Sequence, residues 1–163
     1  MKRRVMVVSD THGYTGNLYR AVEQAGKIDL LIHLGDVCND EREIYNRLQC
    51  GVKILRGNND WNRDLAEKAI IPIGENKIFA THGHKYNVYW SVDSLFYAAM
   101  SEGCNIILYG HTHVPHMEQE GETLILNPGS LTYPRGKEHK PSYAIIEFHD
   151  DDSFNCEIFF LED

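Results

Sequence analysis

Short runs of apolar residues recur along the chain and are separated by more polar stretches. Continuous apolar runs predict strands of a sheet that is covered on both faces, because a strand with one wet face would alternate apolar and polar residues. The predicted strands are residues 5–8, 30–34, 52–55, 78–80, 106–109 and 124–126.

Helical spacing of apolar residues separates several of these strands. The predicted helix faces consist of Leu18, Ala21, Val22 and Ala25, of Ile44 and Leu48, and of Val92, Leu95, Phe96 and Ala99. Ser91 is placed to cap the third helix, and Gly103 is placed to end it. Strands that alternate with helices predict an α/β fold.

The C-terminal part of the chain has a different pattern. Residues 142–148 and 154–161 are strand-like and are separated by the turn sequence HDDDS. This arrangement predicts an antiparallel hairpin, so the sheet it joins would be mixed. Because no Pro-, Gly- or Ser-rich linker divides the chain, we expect residues 1–163 to form a single domain.

Composition narrows the partners of such a domain. The 163 residues carry a formal net charge of −8, which argues against an extended nucleic-acid footprint and against an anionic membrane surface. A negative protein can still bind an anionic substrate when bound cations reverse the local field. Phosphate chemistry at a metal site is therefore compatible with the charge.

Cysteine spacing and the N-terminal sequence predict where the protein is found. The four cysteines include no CxxC pair, so we expect reduced thiols. The apolar run after MKRR is too short for a signal peptide, and no window has the length of a transmembrane helix. These features predict a cytoplasmic protein.

Candidate metal ligands follow five of the predicted strands. They are Asp10 and His12, Asp36, Asn58, His82, and His111 and His113. Taken singly, each fits a polar turn, and GNND (residues 57–60) is typical of a tight turn. Together they predict one metal site, because the carboxyl ends of the strands of an open α/β sheet meet at one edge.

The other histidines have different predicted roles. His33 lies inside a strand and is expected to be a hydrogen-bonded core or edge residue. His84 could support His82 from outside the ligand set. We expect His116, His139 and His149 to be exposed.

Six motifs in order resemble the calcineurin-like metallophosphoesterases, and most nearly their small single-domain prokaryotic phosphodiesterases. They are SDTHG at residues 9–13, HLGDV at 33–37, RGNND at 56–60, THGH at 81–84, YGHTH at 109–113 and NPGS at 127–130. The resemblance implies a four-layer αββα sandwich of two mixed β-sheets flanked by helices. It also implies a metal site at the carboxyl ends of the strands.

The resemblance further implies two divalent metal ions. Asp10, His12, Asp36 and His113 would hold one ion; Asp36, Asn58, His82 and His111 would hold the other, so that Asp36 bridges. Mixed nitrogen and oxygen ligands point to manganese, nickel, zinc, iron or cobalt without choosing among them. We expect manganese. Two such ions can share a hydroxide that attacks phosphorus. The NPGS turn is expected to support the site through its backbone.

These features predict a metal-dependent phosphodiesterase with Asn58, Asn59 and His82 as catalytic residues. Larger relatives have His where this chain has Asn59, and Asp where it has Asn39. An amide can donate a hydrogen bond but cannot supply a proton near neutral pH. We therefore expect diesters with good leaving groups to be the best substrates.

Alternatives concern both the activity and the partners. The same fold serves as a protein-interaction scaffold in a retromer subunit, but that scaffold lacks the complete set of imidazoles found here. Another metal-dependent hydrolase is a further alternative. We expect a small phosphodiester or nucleotide-like substrate, with Arg135 either on its phosphate or in solvent. Aromatic residues around the third helix (Tyr86, Tyr89, Trp90, Phe96 and Tyr97) either form a homodimer face or pack in the core.

Overall fold

Ten strands and three helices build residues 2–162, the part of the chain that the computed structural model describes. In chain order they are β1 (Arg3–Val8), α1 (Gly16–Ala25), β2 (Leu30–His33), α2 (Glu41–Arg47), β3 (Gly51–Ile54), β4 (Lys68–Ile73), β5 (Asn76–Thr81), α3 (Asp93–Ser101), β6 (Ile106–Leu108), β7 (His116–Glu120), β8 (Thr123–Asn127), β9 (Ser142–Phe148) and β10 (Phe154–Phe160). Every predicted strand lies at one of these elements.

The strands form two mixed five-stranded sheets. The first has the order β10-β9-β1-β2-β3, in which β1, β2 and β3 are parallel and the β9–β10 hairpin is antiparallel. The second has the order β4-β5-β6-β8-β7, in which the three central strands are parallel and both edge strands are antiparallel. The predicted hairpin and the predicted mixed architecture are confirmed.

Side chains that alternate along the strands create three apolar layers. Val5 and Val7 of β1 pack between the sheets, in one cluster with residues of β5, β6 and β8. Met6 and Val8 point to the other face, where they pack in a cluster with α1 and α2. The outer face of the second sheet packs against α3 through Leu95. The chain is thus a helix–sheet–sheet–helix sandwich, and burial of both strand faces explains the continuous apolar runs.

Details of the elements differ from the sequence prediction. β4 and β7, which were not predicted, are edge strands, and Pro72 in β4 is compatible with an edge because it cannot donate to a ladder. Val92, not Ser91, is the N-cap of α3, although the Ser91 hydroxyl accepts a 3.0 Å hydrogen bond from the Asp93 N–H. Gly103 follows the C-cap with a φ of 74°, as expected for a residue that ends a helix.

Exposure of the peripheral histidines also differs in part. His139 is exposed, as expected. His116 and His149 are half-buried, so their predicted exposure is wrong. Nε2 of His149 donates a 2.7 Å hydrogen bond to Asn155 Oδ1, which holds the ring against the hairpin. No helix in residues 2–162 is long and apolar enough to cross a membrane.

Candidate metal centre

The candidate ligands come from both sheets and meet where the strands of the two sheets end. Asp10 and His12 follow β1, and Asp36 follows β2. His82 follows β5, while His113 follows β6. The first sheet therefore supplies both carboxylates, and the second sheet supplies most of the imidazoles. Docking of the two sheets is what brings these groups together.

The backbone is left-handed at most of these positions. Positive φ angles occur at Asp10 (58°), His12 (50°), Asp36 (58°), His111 (71°) and His113 (62°). Residues other than glycine adopt this region uncommonly, and such conformations concentrate at functional sites. Here each turn directs a side chain back over the end of its strand.

Asp10 is the centre of the cluster. Its Oδ1 lies 3.3 Å from Nε2 of His113, 3.6 Å from Nε2 of His12 and 3.8 Å from Nε2 of His82. Donor atoms that each lie about 2.0–2.2 Å from one cation are separated by distances of this order. Two sets of ligand atoms lie within 4.8 Å of one another, namely Asp10, His12 and His113, and Asp10, Asp36 and His82.

Asp36 links the two predicted ligand sets. Its Oδ2 lies 3.6 Å from Nε2 of His12 and 3.4 Å from Nε2 of His82. His12 and His82 belong to different predicted ions, so this oxygen faces both. The position suits the bridging role that the resemblance implies. Asp10 Oδ1 also lies near both His12 and His82.

The hydrogen bonds of the imidazoles fit a bound cation. Nδ1 of His82 faces the Leu34 carbonyl at 3.0 Å, and Nδ1 of His113 faces the Tyr133 carbonyl at 2.8 Å. A carbonyl only accepts, so both Nδ1 atoms carry the proton, and in the neutral ring Nε2 presents a lone pair towards Asp10. Asp10 Oδ1 and His82 Nε2 are buried without a hydrogen-bond partner among the described residues. Converging lone pairs of this kind are satisfied by a cation.

The pKa values of the metal-free cluster also favour a bound cation. Burial would raise the pKa of Asp10, but the neighbouring His113 and His12 hold that pKa well below its usual range. Burial likewise opposes the His82 cation, yet the carboxylates of Asp36 and Asp10 raise the His82 pKa. The Asp10 carboxylate, 3.6 Å from Nε2 of His12, raises the pKa of His12. The site is therefore a concentrated negative charge that recruits positive charge.

Asn58 and His111 lie at the periphery of the cluster. Asn58 is exposed, and its side chain makes no hydrogen bond within residues 2–162. The His111 ring packs 5.2 Å from the His82 ring, and its backbone N–H donates to Asp10 Oδ2 at 3.2 Å. Burial and the proximity of His82 lower the pKa of His111. Their roles as ligands stay predictions.

Asn59 contacts the metal cluster directly. Its backbone N–H donates to Asp36 Oδ1 at 2.8 Å, and its Nδ2 donates to Asp36 Oδ2 at 2.9 Å. The amide thus lies beside a candidate metal ligand, and the catalytic role of Asn59 stays a prediction. Asn39, at the position of the missing carboxylate, is exposed with a φ of 82°.

Asp60 organises the loops around Asp36, a role that the sequence analysis missed. It is 5% exposed, and its carboxylate accepts hydrogen bonds from the N–H groups of Asp36 (2.7 Å), Gly57 (2.7 Å) and Cys38 (2.8 Å). The available signal was the last residue of GNND, which was read only as part of a turn. The carboxylate joins the loops that follow β2 and β3.

At two positions glycine allows the backbone to lie close to the carboxylates of the candidate metal ligands. A Cβ at Gly57 would lie 2.2 Å from Asp36 Oδ1. A Cβ at Gly110 would lie 2.2 Å from Ser9 Oγ and 3.0 Å from Asp10 Oδ2. Neither position can hold a larger residue without moving the carboxylates.

The NPGS turn supports the site through its side chains rather than only its backbone. Ser130 Oγ donates to the Asp10 carbonyl at 2.8 Å and accepts from the Tyr133 N–H at 2.9 Å. Asn127 Nδ2 donates to the Gly110 carbonyl at 3.1 Å. The expectation of backbone support is therefore corrected: hydroxyl and amide groups fix the loops of Asp10 and His111.

His33 is the core histidine that was predicted. It is fully buried, its Nδ1 accepts from the Gly35 N–H at 3.1 Å, and its Nε2 lies 2.9 Å from Thr11 Oγ1. Burial lowers the pKa of His33 to about 4, so the ring is neutral. The same loop contains Asp36, which this arrangement helps to position.

His84 packs beside the site without a hydrogen bond to His82. Their ring centroids are 5.4 Å apart, and the Leu34 carbonyl already occupies Nδ1 of His82. His84 Nδ1 is buried and lacks a partner among the described residues. Any support from His84 is therefore by ring packing.

Aromatic residues at the rim of the site were also missed by the sequence analysis. The Tyr133 ring lies 5.4 Å from the His12 ring, and the Tyr89 ring lies 4.9 Å from the His111 ring. Arg135 is exposed, and its Nη1 donates to the Tyr89 hydroxyl at 3.3 Å. Isolated tyrosines in loops give no sequence signal of such placement.

Comparison with known proteins places this geometry in context. A model described as the calcineurin-like phosphoesterase superfamily domain matches residues 3–151. The probable metallophosphoesterase YsnB of Bacillus subtilis is 31% identical over 90% of this chain and 85% of its own. Phosphodiesterase MJ0936 of Methanocaldococcus jannaschii is 30% identical over 77% of this chain and 82% of its own.

A solved structure extends the similarity to the fold. A conserved uncharacterized protein of Streptococcus pneumoniae, described as a predicted phosphoesterase, superposes with a TM-score of 0.83. It is 33% identical, and the match covers 98% of this chain and 90% of that one. The four-layer sandwich implied by the motifs is confirmed.

Proposed function

Because the chain belongs to the calcineurin-like phosphoesterase superfamily, whose fold binds divalent metals, we propose that it is a dinuclear metal-dependent phosphodiesterase. Metallophosphoesterase relatives support a hydrolase, and the phosphodiesterase among them supports the finer activity. Residues 1–163 would act as a single domain.

One observation carries the proposal: Asp10 Oδ1 and His82 Nε2 are buried, face each other at 3.8 Å and have no hydrogen-bond partner among the described residues. Such an arrangement is unfavourable in a metal-free protein and favourable around a cation. Asp10, His12 and His113 would hold one ion, with Asp36 shared. His82, Asn58 and His111 would complete the second.

Hydrogen-bonding groups of the protein would orient the metal ligands for the reaction. When bound, two divalent ions supply a water of lowered pKa and a clamp for the phosphoryl oxygens. The Leu34 and Tyr133 carbonyls hold the His82 and His113 rings so that Nε2 faces the cluster. Asp60 holds the backbone of Asp36. Asn59 would donate its amide to a phosphoryl oxygen.

The identity of Asn59 affects which leaving groups can depart. Its side chain lies against Asp36, beside which the substrate phosphate would bind. An amide cannot protonate a departing alkoxide, and general-acid catalysis contributes roughly 10²–10⁴-fold where it is present. Diesters with good leaving groups would therefore be cleaved faster than monoesters with poor ones.

An interaction scaffold on the same fold is the alternative, and the imidazoles argue against it. His82 and His113 are buried, ordered by carbonyls and directed at a carboxylate. A surface used only for protein binding does not require this arrangement. The buried carboxylates also carry an electrostatic cost that a scaffold would have no reason to keep.

Hydrolysis assays on metal-stripped protein test the proposal. A chromogenic aryl phosphodiester and its matching monoester are supplied with added manganese, nickel, zinc or magnesium. We expect metal-dependent diester cleavage, fastest with manganese, and a loss of at least about 100-fold in Asp36→Asn. Asp64→Asn, which changes an exposed carboxylate, is the matched control. Tight metal binding by calorimetry with no turnover of any ester would favour the scaffold.

A homodimer and a cytoplasmic location stay predictions. Near α3, Tyr86 and Phe96 pack against the core, whereas Trp90 is 86% and Tyr97 69% exposed. The aromatic cluster is thus divided between the two expected roles, and its exposed part supports contact with a second copy. Light scattering on wild type and Trp90→Ser would show whether this face joins two chains.

A further inference from the structure

Tyr133 is fixed beside the first set of metal ligands. Its carbonyl accepts from His113 Nδ1 at 2.8 Å, and its N–H donates to Ser130 Oγ at 2.9 Å. The ring meets the edges of His12 and Tyr14 at centroid distances of 5.4 Å and 6.2 Å. Despite these contacts, 47% of the residue is exposed. An aromatic surface is thus held open next to the candidate ligands.

Tyr89 has the corresponding position beside the second set. Its ring lies 4.9 Å from the His111 ring, and its hydroxyl donates to the His111 carbonyl at 3.2 Å. The residue is 60% exposed. Each predicted metal ion therefore has one exposed tyrosine ring adjacent to an imidazole that would bind it.

Arg135 follows Tyr133 by two residues and contacts Tyr89. Its backbone N–H donates to the His113 carbonyl at 2.9 Å, and its guanidinium donates to the Tyr89 hydroxyl at 3.3 Å. The guanidinium, together with the cations that the cluster would hold, can therefore attract a phosphate at this rim. Guanidinium groups bind phosphate oxygens in a fixed planar geometry.

Single exposed aromatic residues are ordinary on protein surfaces. These two rings differ because both lie next to candidate metal ligands, where an ester group of a phosphodiester bound to the ions would lie. Backbone hydrogen bonds fix Tyr133, and a hydroxyl hydrogen bond fixes Tyr89. Tyrosine rings stack on planar bases with little dependence on base identity. Aliphatic ester groups would gain no such contact.

We infer that Tyr133 and Tyr89 stack on planar bases carried by the ester groups of the substrate and that Arg135 pairs with its phosphate, so that the substrate is a nucleotide-like phosphodiester. The inference rests on the proposed function and adds the substrate class. The tyrosines are specificity-determining residues, whereas the metal ligands act on the reacting phosphorus.

Binding of two matched ligands tests the role of the rings. AMP and ribose 5-phosphate share the sugar and the phosphate and differ in the base. We expect manganese-loaded wild type to bind AMP about tenfold or more tightly than ribose 5-phosphate by calorimetry. Tyr133→Leu and Tyr89→Leu should each lower this ratio severalfold, and Tyr133→Phe and Tyr89→Phe should retain it. Arg135→Gln should weaken both ligands and leave the ratio unchanged.

A matched control is Tyr45→Leu, because Tyr45 is exposed on α2 and has no ring contact with the site. This variant should keep the wild-type ratio. Equal affinity of wild type for AMP and ribose 5-phosphate would overturn the inference, as would a ratio that the leucine variants do not change. Cleavage of the aryl diester by the same wild-type preparation separates this failure from failure of the proposed function.

Discussion

Asp36 Oδ2 accepts a 2.9 Å hydrogen bond from Asn59 Nδ2 and lies 3.4 Å from His82 Nε2. A carboxylate oxygen has two acceptor positions, so Asp36 Oδ2 can hold a cation while the Asn59 amide remains beside it. The amide is then a neutral hydrogen-bond donor at the edge of the site. Such a donor can contact a phosphoryl oxygen but has no proton to give.

Replacing Asn59 by His should shift activity towards monoesters. An imidazole at this position could protonate a poor leaving group, so we expect Asn59→His to raise the monoester-to-diester ratio of kcat/KM by about tenfold. Asn39 supplies no carboxylate to orient the new ring, which limits the gain. Asn59→Ala removes the amide without adding an acid and is the control. An unchanged ratio in Asn59→His would contradict this account of the leaving group.

Asp60→Asn should destabilise the loops that hold Asp36. The native carboxylate accepts three backbone N–H groups with both oxygens, whereas an Asn amide would direct its own N–H₂ at one of them. We expect a loss of roughly 2–3 kcal/mol in the free energy of unfolding, measured in urea without metal. Affinity for manganese should fall as well. If the exposed-site variant Asp64→Asn loses as much stability, the loss cannot be assigned to these hydrogen bonds.

Gly110→Ala should disrupt both the fold and the metal site. The new methyl group would lie 2.2 Å from Ser9 Oγ, so the β1 and β6 loops would have to separate. We expect a destabilisation of about 3 kcal/mol and weaker manganese binding. Gly16→Ala is the paired control, because a Cβ there meets nothing within 4 Å and α1 begins at that residue. It should stabilise by a few tenths to about 1 kcal/mol; similar effects of the two changes would refute the packing argument.

His33 should make the metal-free protein sensitive to acid. Its pKa is about 4 in the folded chain and near the ordinary histidine value of 6.5 in the unfolded chain, so between these two values the unfolded state binds the extra proton. Stability should fall as the pH drops from 6.5 to 4, by at most about 3 kcal/mol from this residue. His33→Asn cannot take up this proton and should show a smaller fall in chelator-treated urea titrations. Parallel curves for both proteins would exclude His33 as the source.

The parallel strands inside the two sheets were predictable because both of their faces are buried. Val5 to Val8 of β1 are all buried, which produces an apolar run that only a covered strand explains. β7 has the sequence HMEQE and is largely exposed, so its strand character comes from pairing with β8 and not from its own residues. β4 was also missed; it is an edge strand that contains Pro72.

The candidate site was predictable where chemistry-bearing residues directly follow a predicted strand. Asp10 and His82 obey that rule. Asp60 and Tyr133 do not, because their roles depend on hydrogen bonds between loops that are distant in sequence. The Asp60 carboxylate accepts a hydrogen bond from the Asp36 N–H, and the Tyr133 carbonyl accepts one from His113 Nδ1. Such contacts require the three-dimensional arrangement of both sheets.

The left-handed backbone of the candidate ligands has a consequence for how the chain can evolve. At Asp10, His12, Asp36, His111 and His113, glycine would relieve the conformational strain. Selection for thermal stability alone would therefore favour the loss of these side chains, and with them the metal centre. The ligands can persist only in lineages that depend on what the cluster binds, so a thermostabilised descendant selected without an activity screen is expected to have lost its site first.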